Sequence, residues 1–97
     1  MSREQILALL SQALPDLKAK HGLAELAIFG SVARGEARPD SDVDVLASYA
    51  GPVNLRAFMG LKEDLEARLG MSVDLVTPAA LKPRLRAAIE PDLLRVS

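Results

Sequence analysis

The chain has 97 residues, enough for one compact domain with a single core and too few for a catalytic domain plus a separate acceptor-binding domain. Apolar residues make up 49% and charged residues 26%, a globular mix; the 3% aromatic content and net charge of −1 argue against binding nucleic acid directly, which needs ring faces for stacking and cations for phosphates. Cysteine is absent, excluding disulfides, thiolate catalysis and zinc-thiolate sites; with no leader pattern and no apolar run near the roughly 20 residues of a membrane span, the expected location is cytoplasmic.

Ser2 followed by Gln5 has the form of a capping box, and Ile6, Leu7, Leu10, Leu14 and Leu17 recur at helical spacing. An amphipathic helix is expected, kinked or restarted at Pro15 and stopped at His21-Gly22. Leu26 to Phe29 is a short apolar run ending at Gly30, the pattern of a buried strand. Residues 31–41 contain Gly35, Pro39 and Asp40, so they read as loop after at most one helical turn from Ser31. Val43, Val45 and Ala47 then alternate with Asp42, Asp44 and Leu46, a period-two strand with acids on one face.

A second long helix is expected from about Asn54 to Leu69, with Leu55, Phe58, Met59, Lys62, Leu65 and Leu69 on its inner side and Gly70 at its end. Met71 to Thr77 reads as a strand closed by Pro78. Leu81, Leu85, Ala88 and Ile89 suggest one or two final helices, interrupted by Pro83 and ended near Pro91. The order implies an α/β (α+β) fold, a small mixed sheet flanked by helices, in a single domain over residues 1–97. Whether neighbouring strands pair as hairpins or crossovers is open at this level. The loop of about a dozen residues between the first two strands is long for so small a domain, and such loops are more often functional than passive.

That loop and its flanks carry the chemistry. Gly30 permits close backbone approach, and the amides of a turn opening at Ser31, with the Ser31 hydroxyl, suit an anion. Asp42 and Asp44, two apart on a strand, project from one face; such neighbours repel unless one protonates or a hard cation such as Mg²⁺ joins them. Asp74 is a lone acid within the apolar run Ser72–Val76, and burying it unpaired would cost desolvation energy, so it is expected to face the same site. Three acids can hold two metal ions about 3.5–4 Å apart across an in-line phosphoryl displacement.

Gly30-Ser31, ten intervening residues, Asp42-x-Asp44 and an acid on a later strand resemble the nucleotidyltransferase superfamily with the DNA polymerase beta fold. The Gly-Ser-x-Ala-Arg-Gly form and the length resemble its minimal nucleotidyltransferase group, which is similar to the antitoxin half of a pair whose toxin is a helical HEPN protein. The resemblance implies that Asp42, Asp44 and Asp74 are metal ligands and catalytic residues, Asp74 also helping to activate the acceptor hydroxyl. It implies that Gly30 and Ser31 hold the terminal phosphates and that Arg34 offsets phosphate charge. It further implies two Mg²⁺ ions, ATP as substrate, and transfer of AMP to a hydroxyl on a cognate HEPN-type toxin, with a hetero-oligomer as the working form. Larger relatives append a helical acceptor-binding domain, so here the acceptor surface is expected from another chain. Two alternatives stand beside this reading: a non-catalytic nucleotide-binding module, and a transferase acting on a small aminoglycoside-like hydroxyl.

Other residues have simpler readings. His21 fits a helix end, Tyr49 a packed strand end, and Glu63, Asp64 and Glu66 with Lys62 and Arg68 the solvated face of the second long helix. Lys82, Arg84 and Arg86 read as surface charge.

Overall fold

A computed structural model describes all 97 residues. In chain order the elements are α1 (Arg3–His21), β1 (Leu23–Phe29), α2 (Gly30–Ala33), β2 (Val43–Tyr49), α3 (Leu55–Leu69), β3 (Val73–Val76), a 3-10 turn (Pro78–Ala80), α4 (Pro83–Ile89), a second 3-10 turn (Glu90–Asp92) and β4 (Leu94–Arg95). The sheet order is β3-β2-β1-β4, with β1 antiparallel to both β2 and β4 and β2 parallel to β3. Parallel pairing needs a crossover of a dozen or more residues, and α3 supplies it. No helix is long and apolar enough to cross a membrane.

One face of the sheet makes the core. Val43, Val45 and Ala47 of β2, Leu26 and Ile28 of β1, and Val73 and Leu75 of β3 join Ile6, Leu10, Leu14 and Leu17 of α1 and Leu61, Leu65 and Leu69 of α3 in one buried cluster. The alternation in β2 forces its other residues, Asp44, Leu46 and Ser48, onto the opposite face. The segment after β3 lies over part of that face. Leu46 and Ser48 share with Glu25, Arg86, Ile89 and Leu93 a cleft of about 250 Å³.

Both long helices end as their sequences dictate. Ser2 makes the reciprocal capping box with Gln5, Asn54 accepts from the Ala57 amide, and left-handed Gly22 and Gly70 close α1 and α3. Four expectations need correction. The helix does not restart at Pro15 but continues through it, because the missing amide deprives only the Ser11 carbonyl, and Ser11 and Pro15 are both exposed. On α3 the inner stripe is Leu61, Leu65 and Leu69 with half-buried Phe58, whereas Leu55 is 75% and Met59 41% exposed. Two apolar stripes compete on this helix, and the fit against the sheet selects the one with full i, i+4, i+8 spacing. The third strand is only Val73–Val76, shorter than Met71–Thr77 at both ends. Pro83 begins α4 instead of interrupting it, none of that helix is fully buried, and a short β4 unseen in the sequence pairs Leu94 with Ile28.

The acids of α3 are more than a solvated face. Asp64 Oδ2 and His21 Nε2 are 2.7 Å apart, Arg68 Nε donates to Asp64 Oδ1 at 2.9 Å, and Lys20 Nζ stands 3.6 Å away, which ties the end of α1 to α3. Burial pushes the Asp64 carboxyl up, but hydrogen bonds from His21 and Arg68 and the charges of Arg68 and Lys20 outweigh it and hold the group below its ordinary range. Glu66 Oε2 accepts from the Val73 amide at 3.0 Å and so fixes where β3 starts.

The inner stripe of α3 is directly testable by urea denaturation. Leu61→Ala is expected to lower stability by about 2–5 kcal/mol. Leu55→Ala, on the stripe first read as inner, should change it by no more than about 0.5 kcal/mol.

Candidate functional site

The site begins where β1 turns into α2. Gly30 sits at φ +73°, a left-handed backbone that disfavours any side chain, and a Cβ built there would overlap Asp44 Oδ2 and lie 3.0 Å from its Cγ. Glycine is therefore required twice, once by the turn and once by the carboxylate. The first amides of α2 have no acceptor within the helix, and Ser31 is half-buried at its start. The turn is held from behind by Arg3 of α1, whose Nη1 donates to the Ala33 carbonyl at 2.9 Å. Arg34 closes it, with Nε donating to Glu36 Oε2 and Nη1 to Asp92 Oδ2, each at 3.0 Å.

The acids lie along one row of the sheet. Asp44 pairs with Phe29 on β1 and with Asp74 on β3, so the last residue before Gly30 and two carboxylates stand side by side. Parallel pairing in register places Asp44 and Asp74 on the same face, and the Val43 amide donating to the Ser72 carbonyl at 2.9 Å anchors the row's end. Asp42 is exposed just before β2, and Asp74 is exposed on the edge strand.

Burial raises the Asp44 carboxyl above its ordinary range; the charges of Asp74 and Asp42 and a hydrogen bond with Asp74 raise it further, against a smaller opposing pull from Arg34. Gly30, Asp44 and Asp74 are thus in contact or close to it, Asp42 adjoins them, and Arg34 is near enough for its charge to be felt. As the side chains are placed, no three acidic or histidine groups converge on one metal position. The donor set nevertheless suits a hard divalent ion: oxygen only, anionic, and destabilised by mutual repulsion in a way a cation relieves.

Three residues that shape this site escaped the sequence reading: Arg3, Glu66 and Asp92, which hold the turn, the start of β3 and Arg34 respectively. Arg3 and Asp92 act across 30 and 58 residues and Glu66 reaches the next element seven residues on, so no spacing within one element marks them. Tyr49 pairs with Leu23 at the far end of β2 from Asp44; its hydroxyl is buried without a hydrogen-bond partner, and desolvation raises its pKa.

Because folding raises the Asp44 pKa, the stability tied to this group is present at pH below its unfolded value and is lost as pH rises through the folded one. In metal-free buffer, Asp44→Asn should therefore melt above the unaltered chain at about pH 7, and the gap should narrow toward about pH 4. Thermal melts across that range check the direction.

A family model for the nucleotidyltransferase domain matches residues 10–95. The protein adenylyltransferase MntA of Thermococcus cleftensis is 36% identical over 96 residues, 99% of this chain and 97% of that protein. A solved minimal nucleotidyltransferase superposes with a TM-score of 0.82 at 40% identity, covering 97% of this chain and 95% of the other. A Shewanella oneidensis complex of tri-AMPylated HEPN toxin with MNT antitoxin gives a TM-score of 0.68 at 19% identity, over 94% of this chain and 71% of that chain, a likeness of fold alone. With a family model spanning most of its length and a relative matched almost end to end, the chain belongs to the nucleotidyltransferase-domain family, in its minimal form.

Proposed function

We propose that this nucleotidyltransferase moves AMP from ATP to a hydroxyl on a cognate helical HEPN-type toxin and so neutralises it. The observation that carries the reading is the joint placement of Gly30, Asp44 and Asp74, a turn able to meet phosphate beside acids able to meet metal. The full-length likeness to a protein adenylyltransferase supports AMP as the group moved. The fold shared with an antitoxin bound to an AMPylated HEPN toxin supports the partner class. Exposed Leu55 and Met59, beside an apolar groove lined by Val53, Phe58, Leu75 and Ala80, offer contact area for such a partner.

In this reading Gly30 and Ser31 receive the terminal phosphates on the amides and hydroxyl of the α2 turn, and Arg34 offsets their charge. Asp42, Asp44 and Asp74 would hold two Mg²⁺ ions, which would supply neutralisation of the negative charge that develops on transfer. The acceptor oxygen bonds to the α-phosphorus, the bond from that phosphorus to the bridging oxygen breaks, and pyrophosphate leaves. Asp74, exposed at the sheet edge, takes the proton of the acceptor hydroxyl. The reaction belongs in the cytoplasm, with its ATP.

Intact mass spectrometry of a cognate HEPN-type protein, after incubation with the protein and Mg²⁺-ATP, tests the proposal. A gain of one or more AMP units is expected, and Asp42→Asn should slow it by about a hundredfold or more. A stable complex with unchanged partner mass would instead establish a binding module without transfer.

A further inference from the structure

The C-terminal segment reaches back to the turn that follows β1. Its Asp92 accepts a 3.0 Å hydrogen bond from Arg34 across 58 residues of sequence, while Glu36 takes the guanidinium's other engaged nitrogen locally. Asp92 is itself well fixed. It ends a 3-10 turn closed by the Leu93 amide on the Glu90 carbonyl; two residues on, Leu94 pairs with Ile28; and the amide of buried Val96 donates to the Leu26 carbonyl at 2.8 Å. Ile28 lies two residues before Gly30 on β1. Arg34, Asp92, β4 and β1 therefore form a closed frame around the turn, with both ends of the Arg34–Asp92 bond tied to the same strand.

We infer that Asp92 is a positioning residue that holds the Arg34 guanidinium in place to receive a nucleotide phosphate. The inference rests on the reading that Arg34 meets phosphate. With Nε and Nη1 engaged by two carboxylates, Nη2 has no protein partner, and the Arg34 side chain is 42% exposed, so a donor remains for a ligand. An arginine free in solvent must give up rotamer freedom when it grips an anion, whereas one already bonded at two nitrogens has given it up on folding. The opposing effect is that two carboxylates reduce the field of the cation. Both lie at the protein surface, Glu36 at 67% exposure and Asp92 at 28%, where solvent screens that cancellation.

Calorimetric titration with the Mg²⁺ complex of a non-hydrolysable ATP, on the full chain and on Arg34→Ala, Asp92→Ala, Asp92→Glu and the double alanine variant, decides the matter. Arg34→Ala should weaken binding about tenfold, the loss of one charge-assisted contact, and Asp92→Ala about threefold to tenfold. Asp92→Glu should restore affinity to within about twofold of the unaltered chain, and the double variant should bind no more weakly than Arg34→Ala alone. A merely structural role would instead add its loss in both backgrounds and would overturn the inference. So would unchanged or tighter binding by Asp92→Ala, the latter meaning that Asp92 competes with phosphate. If Arg34→Ala binds as the unaltered chain does, the phosphate role of Arg34 falls and that of Asp92 with it; a loss with Arg34→Ala but none with Asp92→Ala overturns the positioning role alone.

Discussion

The Asp44 carboxylate occupies the space in which a side chain at residue 30 would stand, and most of the local design follows from that contact. It makes residue 30 a glycine, and it brings a half-buried anion against the turn that opens α2. Pairing in register on β3 then sets Asp74 beside it. A polypeptide that places a half-buried carboxylate beside an exposed one accepts a cost in stability, in keeping with the raised Asp44 pKa. An oxygen-only, anionic set of this kind suits a hard divalent cation, the ligand that the proposed function requires.

The remainder of the fold keeps that row in place. Both long helices cover one face of the sheet, so the opposite face of β2 is free to carry Asp44. The support comes from other elements: Arg3 from the N-terminal helix holds the end of α2, Glu66 from α3 receives the first amide of β3, and Asp92 engages Arg34. The His21–Asp64–Arg68 group locks α1 to α3 on the outer side, away from the acids. Several side chains thus serve element ends, where backbone groups lack partners: Ser2 and Asn54 cap helices, Arg3 holds the end of α2 and Glu66 the start of β3.

What could be read from the sequence is what is local. The Ser2 capping box, the stops at Gly22 and Gly70, and the alternation of Val43, Val45 and Ala47 each depend on residues within one element, and each appears in the structure as expected. The nearness of Gly30 and Asp44 was legible from motif spacing, and Asp74 was placed with them as a lone acid in an apolar run; it does stand beside Asp44, but exposed on the edge strand, so the strand registers and not a desolvation cost put it there. Leu55 and Met59 misled because α3 carries a second apolar stripe that only tertiary fit rejects. β4 was invisible because two residues are too few for any period, and the roles of Glu66 and Asp92 because they are defined by partners on other elements.

Under the proposed function, the Gly30–Asp44–Asp74 row seats a metal-bound nucleoside triphosphate. Crystals grown with Mn²⁺ and a non-hydrolysable ATP, measured at the manganese absorption edge, test it most directly. The account predicts anomalous density against the Asp44 and Asp74 carboxylates, with phosphate oxygens on the Ser31 end of α2. Nucleotide bound elsewhere on the chain, with no manganese between those two acids, would contradict it.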